Sequence, residues 1–153
     1  MIKKSKKLIE IEARLKKEIL ILDGAMGTMI QQYKLTEEDF RRGFFEKHPK
    51  DVKGNNELLC LTRPEIIKEI HRSYFDAGAD IVETNTFNGN YFSQLEYGLQ
   101  DWVVKINMAA AKVACEARDE FLKANPGRAA YVAGALGPMN KTLSMSADVN
   151  RPE

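Results

Sequence analysis

Three short aliphatic runs, each ending in polar, glycine or proline residues, constrain the fold of this chain most strongly. They cover residues 18–23, 80–84 and 130–137. Such runs are typical of parallel strands, because helices cover a parallel sheet on both faces and the strands need few polar positions. The sequence therefore predicts three buried strands.

Two amphipathic helical patterns separate these runs, at residues 61–78 and 101–124. The first has Pro64 in its opening turn, and Thr62 and Glu65 are spaced as a capping box. Strand, helix, strand, helix and strand then follow in order. This order predicts an α/β fold with three parallel strands, intervening helices and right-handed crossovers.

The amino terminus predicts one more helix. Leu8, Ile11 and Leu15 recur at helical spacing, and lysines occupy the remaining face. We expect an amphipathic helix within residues 1–17, ahead of a domain that covers residues 18–153.

Composition excludes several classes of function. The formal net charge is +1, so no strong field favours nucleic acid or an anionic membrane. The aliphatic run from Ile19 to Leu22 is shorter than the roughly 7–15 apolar residues of a signal peptide or the about 20 of a membrane span. Cys60 and Cys115 lack the close spacing of zinc ligands. We expect free thiols, no metal site within the chain, no partner membrane or nucleic acid, and a cytoplasmic location.

The polar residues that close the strands are the candidate site. Ligands of parallel α/β sheets bind beyond the carboxyl ends of the strands, where Asp23, Glu83 and the residues after each of them would meet. Gly137, Pro138 and Asn140 would face the same edge.

Asp23 has two possible roles. Its carboxylate could hold an ammonium group while the backbone N–H groups of Gly24 and Ala25 receive a carboxylate, which would suit an amino acid. Alternatively, Asp23 caps the following helix and the glycines serve a tight turn. His71, in the middle of a helical pattern, is expected to have a core or surface role and not a catalytic one.

Six ordered stretches carry a family resemblance: "LDGAMGTMIQ", "GNNELL", "GADIVETNTF", "INMAAAKVA", "YVAGALGPMN" and "DVNRP". Together they resemble the amino-terminal part of the homocysteine-binding domain of cobalamin-dependent methionine synthases. The resemblance extends from about residue 19 to residue 152.

The resemblance implies a fold and an activity. The family domain is a (βα)8 TIM barrel, so this chain would be its amino-terminal portion. In the family, zinc held by three cysteines binds the homocysteine sulfur, and the thiolate takes a methyl group from methylcobalamin to give methionine. Those cysteines belong to later strands, and neither Cys60 nor Cys115 matches them. The resemblance thus implies no catalytic or metal residue in this segment, and as partners the rest of the barrel and the folate and cobalamin domains.

The resemblance also implies substrate-binding residues. Asp23 matches the acid that binds the homocysteine amino group, and Gly24 and Ala25 match residues whose backbone contacts the substrate. The family usually has a second glycine in place of Ala25. Alanine is harmless there at negative φ and strained at positive φ.

The second strand contributes the other candidates. Glu83 begins "ETNTF", where the betaine-dependent branch tends to have glutamine, and Phe87 and Asn88 match a loop that closes over the substrate. A second hypothesis remains open: a stand-alone amino-acid-binding module, or half of a split barrel that another polypeptide completes.

Overall fold

The computed structural model describes residues 4–139. Its α-helices are α1 Lys6–Leu15, α2 Met26–Gln32, α3 Glu37–Phe40, α4 Leu59–Thr62, α5 Pro64–Asp76, α6 Tyr91–Glu96 and α7 Val103–Ala124. Short 3-10 helices cover Gly43–Phe45, Asn56–Leu58 and Gln100–Trp102. The strands are β1 Ile81–Glu83 and β2 Tyr131–Ala133.

The two strands pair in parallel, as the sequence predicts. Val82 lies opposite Val132, and Glu83 lies opposite Ala133. The long helix α7 makes the connection between them, which is the crossover that parallel strands require. The α/β class and the parallel pairing are therefore confirmed.

The first predicted strand does not form as such in the described residues. Leu22 makes a single parallel bridge with Ile81, supported by the Asp23 N–H, which donates to the Ile81 carbonyl at 2.9 Å. The chain then turns directly into α2, so the pairing ends after one bridge. The prediction of three strands is corrected to a two-stranded sheet with a bridged segment beside it.

The predicted burial of these runs was also wrong in part. Val82 is fully buried, but Ile19 is 91% exposed and Leu136 is 98% exposed. Ile21 and Leu22 are exposed as well. Burial needs a packing layer on each face, and in the described chain helices cover the sheet beside β1 but not these segments.

Helix α5 forms as predicted, but its start differs. Pro64 is in the first turn, and Ile66 is buried. No capping box forms, because the Thr62 hydroxyl donates back to the Leu58 carbonyl and the Glu65 carboxylate accepts from the Arg63 side chain. Arg63 is the N-cap residue.

The core lies between α5, α7 and the sheet. One cluster joins apolar residues of α5 and α7 to those of α2, α3 and α4, including Ile67, Ile70 and Ile106. A second cluster lies against β1, where the rings of Phe75 and Phe121 stack 5.2 Å apart. Apolar side chains of the two longest helices thus pack against β1.

Helix α1 lies at the amino-terminal end of the strands. The Tyr131 hydroxyl donates to Glu10 at 2.6 Å, and the Arg14 guanidinium pairs with Asp80 at 3.1 Å. The predicted helix is present, but none of its residues is buried, and Leu15 is exposed. Polar contacts and not an apolar stripe hold α1, and the proposed domain division after residue 17 stays a prediction.

No helix within residues 4–139 has the length and apolar character needed to cross a membrane. The cytoplasmic location stays a prediction from the sequence.

Candidate functional site

A cleft of about 430 Å³ opens at the carboxyl end of the sheet. It is lined by all six residues that the sequence assigns to substrate binding: Asp23, Gly24, Ala25, Glu83, Phe87 and Asn88. The bridged first segment, β1 and the loop after β1 supply them. The structure therefore brings these side chains together, while their role with a substrate stays a prediction.

Asp23 is fixed to the sheet and not to the helix that follows it. Its Oδ1 accepts the Glu83 N–H at 3.1 Å. The N-cap of α2 is Ala25, and no side chain among residues 4–139 makes a capping hydrogen bond to this helix. The helix-cap interpretation of Asp23 is therefore wrong.

The electrostatic environment of Asp23 favours its neutral form. Burial, with the nearby negative charge of Glu83 adding to it, raises the pKa of Asp23 to about 6. A cation that entered the cleft would reverse this effect, because it stabilises the carboxylate. The site thus contains an acid that has no positively charged partner in the part of the chain that the structure describes.

The turn after Asp23 leaves two backbone donors available. Neither the Gly24 N–H nor the Ala25 N–H finds an acceptor among residues 4–139. Ala25 has φ of −64°, so alanine replaces the family glycine without strain. A Cβ on Gly24 would lie 3.3 Å from the Tyr74 hydroxyl, so the missing side chain permits close packing of the turn on α5.

The loops after β1 and β2 are joined by threonine side chains. The Thr84 hydroxyl oxygen accepts the Ala135 N–H at 3.1 Å, and the Thr86 hydroxyl donates to the Ala135 carbonyl at 2.8 Å. These bonds continue the contact between the strands beyond their last residues. Phe87 and Asn88 follow at once, and both are exposed at the edge of the cleft.

Glu57 is a cleft residue that the sequence did not reveal as such. It lies in "GNNELL", next to a run of buried apolar residues, and is only 4% exposed. Its Oε1 accepts the Asn88 N–H at 2.9 Å, and burial raises the pKa of its carboxyl group. An acid directly before an apolar run was the available signal.

The cleft is therefore acidic. Asp23, Glu57 and Glu83 line it, and within residues 4–139 no lysine, arginine or histidine does. Such a surface favours a ligand that carries a positive group.

The described residues do not supply the three-cysteine zinc site of the resemblance. Burial raises the pKa of Cys60 to about 12, and its sulfur lies 3.6 Å from the Asn85 amide nitrogen. Cys115 is on α7, where its sulfur lies 3.7 Å from an Arg118 nitrogen. Residues 4–139 hold no group of three or more His, Cys, Asp or Glu side chains able to bind a metal ion.

The last part of the predicted site is partly described. Gly137 lies so close to Phe87 that a Cβ on it would be 2.2 Å from the Phe87 carbonyl oxygen. Asn140 and the stretch "DVNRP" lie outside the described residues.

The homocysteine S-methyltransferase family model matches residues 20–153. The chain belongs to this family. Similar solved structures are those of the homocysteine methyltransferase MmuM from Escherichia coli. The metallated form has 25% sequence identity to this chain and a TM-score of 0.66. The match covers 84% of this chain and 41% of the MmuM chain. The oxidized form has 27% sequence identity to this chain and a TM-score of 0.66, and the match covers 84% of this chain and 40% of the MmuM chain.

This member of the homocysteine S-methyltransferase family thus spans about two-fifths of the structures that it matches. The agreement confirms the resemblance at the level of the family. The assignment to the cobalamin-dependent branch stays a proposal.

Proposed function

We propose that this chain is the amino-terminal part of a homocysteine S-methyltransferase and that it binds homocysteine in the acidic cleft. The observation that carries the proposal is Asp23, an acid held at the end of the sheet where no lysine, arginine or histidine of residues 4–139 lines the cleft. Within the same residues, the only hydrogen bond of its side chain is the one from the Glu83 N–H. The second carboxylate oxygen is thereby available for a ligand.

The two charged groups of an amino acid fit the two features of the first turn. The Asp23 carboxylate would bind the ammonium group, because opposite charges attract strongly where water is partly excluded. The N–H groups of Gly24 and Ala25, which have no acceptor in the described chain, would bind the carboxylate. This arrangement would direct the side chain of homocysteine away from the turn.

The second loop would complete the binding site. Glu83 adds negative charge beside Asp23, and Phe87 and Asn88 stand at the edge of the cleft. We propose that these residues cover a bound ligand, as the resemblance implies.

For the complete enzyme we propose methyl transfer from methylcobalamin to homocysteine, which gives methionine. The six motif matches support the cobalamin-dependent branch, and the Escherichia coli relative has been solved in a metallated form. Zinc would keep the substrate sulfur deprotonated. Since residues 4–139 do not supply its ligands, the rest of the barrel and the folate and cobalamin domains would be needed for the reaction, and this chain alone would bind neither zinc nor cobalamin.

A non-catalytic binding module is the second candidate, because all six candidate residues come from the first two segments of the sheet. Titration calorimetry with homocysteine on the 153-residue chain tests the binding step. We expect binding that Asp23→Ala weakens about tenfold or more, since charged hydrogen bonds contribute roughly 1.5–3 kcal/mol. Glu38→Ala, at an exposed acid of α3, is the control.

Absence of homocysteine binding by the unaltered chain, or equal binding by Asp23→Ala, would contradict the proposal. Methyl transfer assays and metal analysis of the same sample test whether this segment can act without the rest of the barrel. Stoichiometric zinc with turnover would contradict both candidates, and homocysteine binding without zinc or turnover is the result that both predict.

A further inference from the structure

The loop after β1 is held in place by side chains of a distant segment. We call residues 84–90 the rim loop. Its own backbone bonds are few, with the Thr86 N–H donating to Thr84 and the Gly89 N–H donating to Thr86. The Asn85 amide nitrogen donates to the Asn56 carbonyl at 2.8 Å. The segment around residue 56 therefore helps to hold the rim loop, together with the bonds from Thr84 and Thr86 to Ala135.

Asn88 is the most strongly held residue of the rim loop. Its N–H donates to Glu57 Oε1 at 2.9 Å, and its carbonyl accepts from Gln94 Nε2 at 3.1 Å. Gln94 is itself paired with Asn55, through two amide hydrogen bonds of 2.8 and 3.1 Å. Both Gln94 and Asn55 are buried. The backbone of Asn88 thus has both polar groups fixed by buried side chains, while its own side chain stays exposed.

Glu57 differs from the other members of this network, because it is an acid. An amide would also accept the Asn88 N–H, and it would avoid the cost of placing a charge in a buried position. A carboxylate accepts a shorter and stronger bond than a neutral oxygen does. The strength of the bond to the Asn88 N–H therefore depends on the charge of one side chain.

The groups that face Glu57 do not offset that charge. Asp23 and Glu83 line the same cleft, and Cys60 and Tyr97 are the other titratable groups among residues 4–139 that interact with Glu57. Burial raises the pKa of Glu57 above that of an exposed glutamate.

We propose that Glu57 is a positioning residue: its ionised carboxylate fixes the Asn88 amide, and thereby sets where Phe87 and Asn88 stand over the cleft. Ligand affinity then depends on the charge of Glu57, although Glu57 acts through the rim loop. The identity of the ligand as homocysteine rests on the function proposed above.

The first test needs no ligand. Two-dimensional NMR of the 153-residue chain follows the Asn88 amide proton as the pH is changed. We expect its resonance to move downfield as Glu57 ionises, with a midpoint above that of an ordinary glutamate, and to stop titrating in Glu57→Gln. Glu38→Gln, which removes an exposed acid, leaves the titration unchanged. An Asn88 amide that does not titrate, or that titrates equally in Glu57→Gln, overturns the proposal.

The second test measures homocysteine affinity by calorimetry from pH 5 to pH 8. Glu57→Ala is expected to weaken binding about tenfold at pH 8, which corresponds to the loss of one charged hydrogen bond. Glu57→Gln keeps an acceptor oxygen, so it should bind more tightly than Glu57→Ala and lose the part of the pH dependence that belongs to Glu57. Wild-type affinity in both variants overturns the proposal.

The outcomes for this proposal and for the proposed function can be told apart. If Glu57→Ala fails to fold, the comparison of Glu57→Gln with the unaltered chain still tests whether Glu57 positions the rim loop. If the unaltered chain does not bind homocysteine, the proposed function is contradicted, and the Asn88 titration alone decides whether Glu57 positions the rim loop.

Discussion

Asp23 shows how one residue combines a structural contact with an exposed charge. Its backbone N–H extends the parallel pairing to Ile81, and its carboxylate accepts from the Glu83 N–H. The same position near the sheet removes water from the carboxylate and raises its pKa to about 6. The residue is therefore half ionised near the lower end of the physiological pH range.

The affinity for homocysteine is expected to rise with pH around this value. Only the ionised form of Asp23 attracts the ammonium group, which stays protonated below pH 7. Between pH 5 and pH 7 the ionised fraction increases about tenfold, and so should the association constant. Calorimetry at several pH values checks this, and Asp23→Asn should show a weak affinity and lose the part of the rise that belongs to Asp23. The same slope in Asp23→Asn would contradict the assignment.

The burial of His71 leads to a second prediction, which concerns how stability depends on pH. It is fully buried, and neither ring nitrogen has a hydrogen-bond partner among the described residues. Burial lowers its pKa from 6.5 to about 4. Between pH 6.5 and pH 4, His71 is therefore protonated in the unfolded chain but neutral in the folded chain. The free energy of unfolding falls as the pH decreases through this range.

The contribution of His71 can be isolated with His71→Leu. We expect the free energy of unfolding of the wild type, relative to His71→Leu, to fall by about 3 kcal/mol between pH 7 and pH 4. Urea denaturation at several pH values measures it. Asp23 acts in the opposite direction, since its raised pKa adds stability at low pH that is lost as the pH rises through 6. The effect of Asp23 is the same in the wild type and in His71→Leu, so it cancels in the comparison. Free energies of unfolding that change equally with pH in the two proteins would contradict the prediction.

At the scale of elements, the starts of helices show what spacing alone cannot decide. Thr62 and Glu65 have the spacing of a capping box, yet they bond to Leu58 and Arg63. At α3, with the same spacing, the Asp39 carboxylate does accept from the backbone N–H of Thr36. The difference comes from α4, because this helix ends at Thr62 and the Thr62 hydroxyl bonds to the Leu58 carbonyl at its start. A neighbouring element and not the local pattern decided the cap.

The contact between the rim loop and the segment after β2 gives a prediction at the same scale. Gly137→Ala would place a Cβ 2.2 Å from the Phe87 carbonyl oxygen, so one of the two segments must move. We expect a loss of about 1–3 kcal/mol in the free energy of unfolding. Gly134→Ala is the matched control, because a Cβ there meets nothing within 4 Å. Urea denaturation of both variants checks the difference, and equal stabilities would contradict it.

At the scale of the whole molecule, the sheet ends in exposed apolar segments. Ile19 and Leu136 are almost fully exposed, and within the described chain the backbone of the first segment pairs on one side only. Exposed strand edges of this kind template association between chains.

We therefore expect the isolated 153-residue chain to associate as its concentration rises. The double variant Ile19→Lys and Leu136→Lys should stay monomeric over a wider range and change the free energy of unfolding by less than about 0.5 kcal/mol, because both side chains are exposed. Light scattering at increasing concentration and urea denaturation measure the two quantities. Equal association of the two proteins would show that another surface is responsible.

The α/β class, the parallel pairing of β1 with β2, and the meeting of Asp23 and Glu83 at the carboxyl end of the sheet could be predicted from the sequence. These features follow from the local periodicity of apolar residues and from the order of strands and helices, and both depend on residues that are close in sequence. Asp23, Glu83 and Phe87 reach one cleft because parallel strands all end at the same edge. Which apolar runs are buried, and which residue Glu57 contacts, could be seen only in the folded chain. Burial depends on packing partners, and the bond from Glu57 joins residues 31 positions apart, which no local pattern specifies.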